Sequence, residues 1–128
     1  MAKVCFVPAQ GTLAAYLTGE IDHHAAQALR REIDAQIDAR MPELLTMDFS
    51  GVTFMDSSGI GLVMGRFRLM QETGGKVILQ NLPAPLRKVM KLAGLDKLAE
   101  IRGWSADEAD RRTTEAFFGL FDRIPRPE

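Results

Sequence analysis

The sequence predicts an α/β fold: a single domain on a mixed sheet of four to five strands with about four helices. Three observations lead there. Short apolar runs of strand length alternate with stretches whose apolar residues step by three or four. The first two runs flank a turn-rich pentapeptide, which makes that pair antiparallel. Each later strand–helix–strand segment has the length of a parallel crossover, so parallel strands follow.

Lys3–Val7 and Leu13–Thr18 read as the hairpin strands around Pro8-Ala9-Gln10-Gly11-Thr12. Gly19-Glu20-Ile21-Asp22 ends the second strand, and the Asp22 carboxylate is suited to cap the next helix. Ala26, Leu29, Ile33 and Ile37 give that helix one apolar stripe, and Pro42 stops it near Met41. Leu44, Leu45, Met47 and Phe49 fill a short, buried central strand. A helix from Ser58 to about Thr73 follows, with Ile60, Val63, Met64, Phe67 and Met70 as its core face. Gly74-Gly75 ends it, and Lys76–Gln80 forms the next strand.

Pro83 and Pro85 open a third helix, whose stripe of Leu86, Val89, Met90 and Ala93 ends at Gly94, with Leu95 packing back. Lys97–Ile101 forms a short final strand at the sheet edge. Ser105 and Glu108 make a capping box for a fourth helix, with Ala109, Thr113, Ala116, Phe117, Leu120 and Phe121 on its apolar face. Trp104, Phe117 and Phe118 are expected to pack over the chain's own sheet, with a partner contact as the alternative, and one of Phe117 and Phe118 faces away from the main stripe. Residues 122–128 are expected to fray, which bounds the domain at 1–121.

Bulk properties exclude several functions. At 128 residues and 46% hydrophobic, the chain can bury one core and has no room for a second domain. Sixteen basic against seventeen acidic residues give a net charge of −1, with no basic run longer than two, so direct nucleic-acid binding has no electrostatic support. The single cysteine, Cys5, cannot form an intrachain disulfide, as expected in a reducing compartment. No run approaches the roughly eighteen apolar residues of a membrane span, and the opening Met1–Pro8 segment is too short to read as a signal peptide. A cytoplasmic location, no membrane partner and no cofactor are therefore expected.

Two motifs invite sharper readings. His23 and His24 beside Asp22 and Glu20 supply ligand-type atoms, but neighbours on a helix diverge by about 100° and no third ligand is spaced to join them. They read as polar first-turn residues, with no metal. Gly59, Gly61 and Gly65 form Gly-x-Gly-x-x-x-Gly, one residue too long for a dinucleotide fingerprint. They are expected to let their helix lie close to the sheet.

The stretch from Asp48 to Gly61 concentrates the chemistry. Asp56 and Ser57 sit where a strand's exit becomes a helix start, whose free N–H groups and partial positive charge accommodate anions. From the residues alone three readings stay open: helix capping, a nucleophilic serine, or a phospho-acceptor gaining about −1.5 to −2 charge. The nucleophile lacks the Gly-x-Ser-x-Gly elbow, since the chain has Met55-Asp56-Ser57-Ser58-Gly59.

Phe54-Met55-Asp56-Ser57-Ser58-Gly59-Ile60-Gly61, preceded by Leu17-Thr18-Gly19-Glu20-Ile21-Asp22-His23-His24, resembles the anti-sigma-factor antagonists built on the STAS domain, and most of all the sporulation-type ones. The resemblance spans roughly residues 3 to 101. It implies a STAS-type single domain in which Ser57 is phosphorylated. It also implies that the unmodified chain binds an anti-sigma factor that is an ATP-dependent serine kinase, so releasing a sigma factor. That kinase phosphorylates Ser57, the product dissociates, and a PP2C-type serine phosphatase resets it. Catalysis then lies in the partners, and this chain is not an enzyme. Asp22, His23, Thr53, Met55, Asp56, Ser58 and Gly59 are the expected partner-facing residues. The alternatives are a STAS adaptor that is never phosphorylated, and a serine hydrolase using Ser57 with His23 or His24 as base.

Overall fold

The computed structural model describes residues 1–82, 84, 87–88 and 100–102. Along the chain run β1 (Lys3–Ala9), β2 (Thr12–Ile21), α1 (His23–Arg40), β3 (Leu44–Met55), α2 (Ser57–Glu72), β4 (Lys76–Gln80) and β5 (Glu100–Arg102). Ala84, Arg87 and Lys88 are helical. The rest of the expected third helix with Gly94 and Leu95, residues 97–99, Trp104, the fourth helix with Phe117 and Phe118, and the 122–128 tail lie outside the described residues.

The five strands stand in the order β1-β2-β3-β4-β5. β1 and β2 pair antiparallel from Lys3↔Thr18 to Ala9↔Thr12, so the hairpin turn is only Gln10-Gly11, tighter than the pentapeptide expected from sequence. Gly11, at φ 74°, holds the second position of that turn, where a positive φ favours glycine. The pairs β2–β3, β3–β4 and β4–β5 are parallel, which makes the sheet mixed. Consecutive crossovers of one hand between adjacent parallel strands leave both helices on one face. There Leu13, Ala15 and Leu17 of β2, Leu45, Met47 and Phe49 of β3, and Val77 and Leu79 of β4 join the stripes of α1 and α2 in one core. On the opposite face Cys5 and Tyr16 are exposed.

α1 follows its sequence closely. Asp22 caps it, Ala26, Leu29, Ile33 and Ile37 are its buried residues, and it ends at Met41 in the left-handed conformation (φ 47°) before Pro42. α2 departs from expectation. Met64 is 41% exposed, whereas Leu62 and Arg66 are buried. The sheet covers one side of α2 and α1 covers another, so its buried surface is wider than one stripe and is turned away from Met64.

β3 is also longer than the apolar run that announces it. It uses 12 residues beside the 10 of β2, with register shifts between Tyr16/Thr18 and Gly19/Glu20. Each shift places an extra residue on β3, so the inward positions after Phe49 fall at Val52 and Met55 and not at every second residue. The side chain of Met55 thereby lies against Gly59, where any Cβ would collide with it. Gly61 and Gly65 differ: a Cβ at either position meets nothing within 4 Å, so neither is needed for packing against the sheet.

Two polar clusters stitch the elements together. Asp48, only 3% exposed, accepts hydrogen bonds from the Ser50 N–H (2.8 Å), the Ser50 hydroxyl (2.6 Å), Gln80 Nε2 (2.7 Å) and Asn81 Nδ2 (2.8 Å). Burial pushes its pKa up, but the donations from Ser50, Gln80 and Asn81 together outweigh burial and hold it below the ordinary 3.8. Across the helices, buried Arg66 pairs through Nε with Asp34 Oδ1 at 2.7 Å. Burial raises the Asp34 pKa, with Arg66 and Arg30 pulling it back.

These contacts fix the sign of several substitutions. Gly59→Ala should destabilise by about 1–3 kcal/mol through overpacking against Met55, while Gly61→Ala and Gly65→Ala should each stabilise by about 0.5–1 kcal/mol, since alanine is the better helix former; urea unfolding separates the two outcomes. Because the folded-state pKa of Asp48 is depressed, its contribution is complete above pH 3.8 and is lost as pH falls through the folded value. Asp48→Asn should therefore lower stability at pH 7 by about 1–3 kcal/mol and flatten the acid limb of the unfolding midpoint below pH 4.

Candidate functional site

β2 and β3 leave the sheet side by side. Their last pair is Ile21↔Met55, and the next residue, Asp56, donates its N–H to the Ile21 carbonyl at 3.2 Å. Each strand passes at once into an aspartate cap with almost the same backbone: Asp22 at φ −94°, ψ −176° and Asp56 at φ −96°, ψ −171°. Asp22 Oδ1 accepts from the Ala25 N–H at 2.8 Å, and Asp56 Oδ1 accepts from the Ser58 N–H at 2.8 Å. Two helix N-termini therefore open at the same end of the parallel strands, the end at which open α/β sheets present their ligand sites.

Ser57 is the first residue of α2, one position earlier than the sequence suggested, and it is half-buried, as are Asp56 and Ser58. Asp22, His23 and Thr53 are exposed. Met55 and Gly59 correct the expectation: both are buried, Met55 at 1% exposure, because the second register shift in β3 turns Met55 inward onto Gly59. They support the site from beneath and offer no side chain to a partner. The same shift leaves Thr53 and Phe54 outward in succession, with Phe54 37% exposed beside the serines.

His23 shares a contact with Gln27 (Nε2···Nε2 3.4 Å), one turn on in α1. His23, Gln27 and Ser58 line a groove of about 490 Å³ between α1 and α2, which brings the Asp22-His23 and Ser57-Ser58 segments to one surface. Phe54 and Gln27 were not singled out by sequence. Gln27 lies one turn after His23, a signal readable only once α1 is known to flank α2. Among the described residues, no group of three or more His, Cys, Asp or Glu side chains could hold a metal ion, and no helix is long and apolar enough to cross a membrane.

The arrangement suits reversible charge at Ser57. A phosphoryl group at the first position of α2 meets the positive end of the helix dipole, so the helix can carry it without unfolding.

The STAS domain family model matches residues 7–107. The chain is 34% identical over 109 residues to an anti-sigma F factor antagonist of Lysinibacillus sphaericus, covering 85% of this chain and 88% of that one. It is 33% identical over 92 residues to the anti-sigma F factor antagonist of Paenibacillus polymyxa, covering 72% and 79%. Among solved structures, it is similar to the anti-sigma factor antagonist SpoIIAA in its unphosphorylated form (30% identity, TM-score 0.67, 83% of this chain and 93% of that one). It is likewise similar to the Bacillus cell fate determinant SpoIIAA in the phosphorylated form (32% identity, TM-score 0.67, 83% and 95%).

The twin caps predict a matched pair of effects. Asp22→Ala and Asp56→Ala should each lower stability by about 1 kcal/mol, and Asp→Asn at either position should recover most of it, because the amide oxygen still accepts. Thermal unfolding of the four variants checks this.

Proposed function

The chain belongs to the STAS domain family, and from that premise we propose that it is an anti-sigma factor antagonist switched by phosphorylation of Ser57. Unmodified, it binds an anti-sigma factor and frees the sigma factor; phosphorylated, it lets go. The observation that carries this reading is the position of Ser57, half-buried at the first turn of α2 beside the outward Thr53 and Phe54, in a chain similar to antagonists solved in both phosphorylated and unphosphorylated forms.

The anti-sigma factor is, on this reading, an ATP-dependent serine kinase, a PP2C-type phosphatase removes the phosphate, and the exchange takes place in the cytoplasm. This chain supplies the acceptor and the docking surface and performs no catalysis. Asp22, His23, Thr53 and Ser58 contribute to that surface, while Asp56 caps α2 and so fixes the helix start at which Ser57 stands. The new charge acts in the interface, where an unpaired phosphate opposes binding. Since about 1.4 kcal/mol is tenfold, a penalty of about 2.8 kcal/mol already separates the two forms a hundredfold. A hydrolase reading gains nothing from the geometry, in which the His23 ring turns to Gln27.

Incubation with ATP and a candidate anti-sigma kinase from the same genome should add one phosphate, at Ser57, by mass spectrometry. Ser57→Ala should bind that kinase and resist release, and Ser57→Asp should bind about a hundredfold more weakly. Equal affinity of the two variants would sink the switch, and a chain never phosphorylated at Ser57 in cells would be a fixed adaptor.

A further inference from the structure

The groove between α1 and α2 holds features that folding of the chain alone does not use. Its walls run along matched helical spacings, His23, Gln27 and Arg30 on α1 facing Ser58, Gly61 and Gly65 on α2, with Arg66 at its inner end. Arg66 is only 5% exposed; its Nε lies 2.7 Å from Asp34 Oδ1 as an ion pair without hydrogen-bond geometry, and its buried Nη1 has no hydrogen-bond partner among the described residues. A buried charged donor left unsatisfied is unfavourable unless a ligand completes it.

The opposite wall carries an independent sign. Gly61 and Gly65 sit in the interior of α2, where glycine is the weaker helix former, and a Cβ on either would enter open space. Bare backbone thus stands where nothing among the described residues presses against it. Arg30, its side chain 67% exposed, lies 3.8 Å from Asp34 Oδ2, so two guanidinium groups flank one half-buried carboxylate, with Asp38 as a second acidic neighbour of Asp34.

We propose that this groove is a carboxylate-accepting subsite of the docking surface, taking an aspartate or glutamate side chain of the partner protein onto Arg30 and the free edge of Arg66. Guanidinium groups match a carboxylate in charge and in planar, forked geometry. The methylene stem of the incoming side chain lies against Ala26, Leu62 and the glycine backbone. A phosphate on Ser57, one residue from Ser58 on the rim, places like charge beside that carboxylate and opposes its entry, which links modification to release. Assigning the carboxylate to the anti-sigma factor rests on the function proposed above; the groove's preference for a carboxylate does not.

The test begins without the partner. Sodium acetate, added to the isotope-labelled protein, should give saturable shifts of the Gly61 and Gly65 amides and of Arg66 Nε, with sodium chloride at equal ionic strength giving none. Gly61→Leu, whose Cβ meets nothing within 4 Å and whose longer side chain is directed to occupy the groove, should weaken acetate binding at least about tenfold without lowering the thermal midpoint, and Arg30→Ala should weaken it several-fold. Equal responses to acetate and chloride, or acetate shifts that survive both substitutions, would overturn the subsite. Inorganic phosphate binding about tenfold tighter than acetate would reassign the groove to phosphoryl groups and overturn the carboxylate. In the partner assay, Arg30→Glu should weaken binding of the unphosphorylated chain, and unchanged affinity there would remove the subsite from the docking surface while leaving the Ser57 switch standing.

Discussion

Parallel pairing of β2 with β3 is the constraint on which the site depends, because it delivers two chain segments to one end of the sheet pointing the same way. Local sequence then repeats itself: each strand runs into an aspartate with nearly identical backbone angles, and each aspartate closes the first turn of a helix. Asp56 N–H bonding to the Ile21 carbonyl ties the two exits together at the level of their last residue pair. Nothing at that end is held by a single long loop. The position of Ser57 at the first turn of α2 is thus set from the sheet, through one cap.

The irregularity of β3 serves the same end. A regular strand would display alternate residues, but the two extra residues let Thr53 and Phe54 face outward together while Met55 turns in to meet Gly59. The surface beside Ser57 is thus broad and partly aromatic, and the helix start beneath it is pinned by a methionine against a bare glycine. Far along the same strand Asp48 gathers donors from Ser50, Gln80 and Asn81, anchoring β3 to the exit of β4. On the function proposed above, the change of charge acts between molecules, at the end of a strand that these hydrogen bonds tie to its neighbour.

What the sequence made legible was local. The hairpin, the Asp22 cap, the α1 stripe and its stop at Pro42 all follow from residues within a few positions of each other, and each stands where its chemistry puts it. The helix start at Asp56 was legible for the same reason, whereas the residues alone left the role of Ser57 open. What stayed hidden depends on neighbours distant in sequence. Leu62 and Arg66 are buried because α1 lies across α2, and no periodicity within α2 announces that. Asp34 and Arg66 pair across two helices, and Met55 reads as a surface residue until the register of β2 against β3 is known. The glycines of α2 divide likewise: sequence treats Gly59, Gly61 and Gly65 as one group, yet of the three only Gly59 has a core side chain where its Cβ would stand.

The hairpin's proline has a further bearing on how the molecule behaves in company. β1 is the outermost strand, and counting alternately from the closing Ala9↔Thr12 pair leaves the nitrogen of Pro8 directed at the free edge. A strand arriving from a second molecule would find no donor there, with Lys3 exposed at the start of the same strand. Edge-to-edge growth into an extended ribbon is thereby discouraged at the border where an open sheet is most exposed to it.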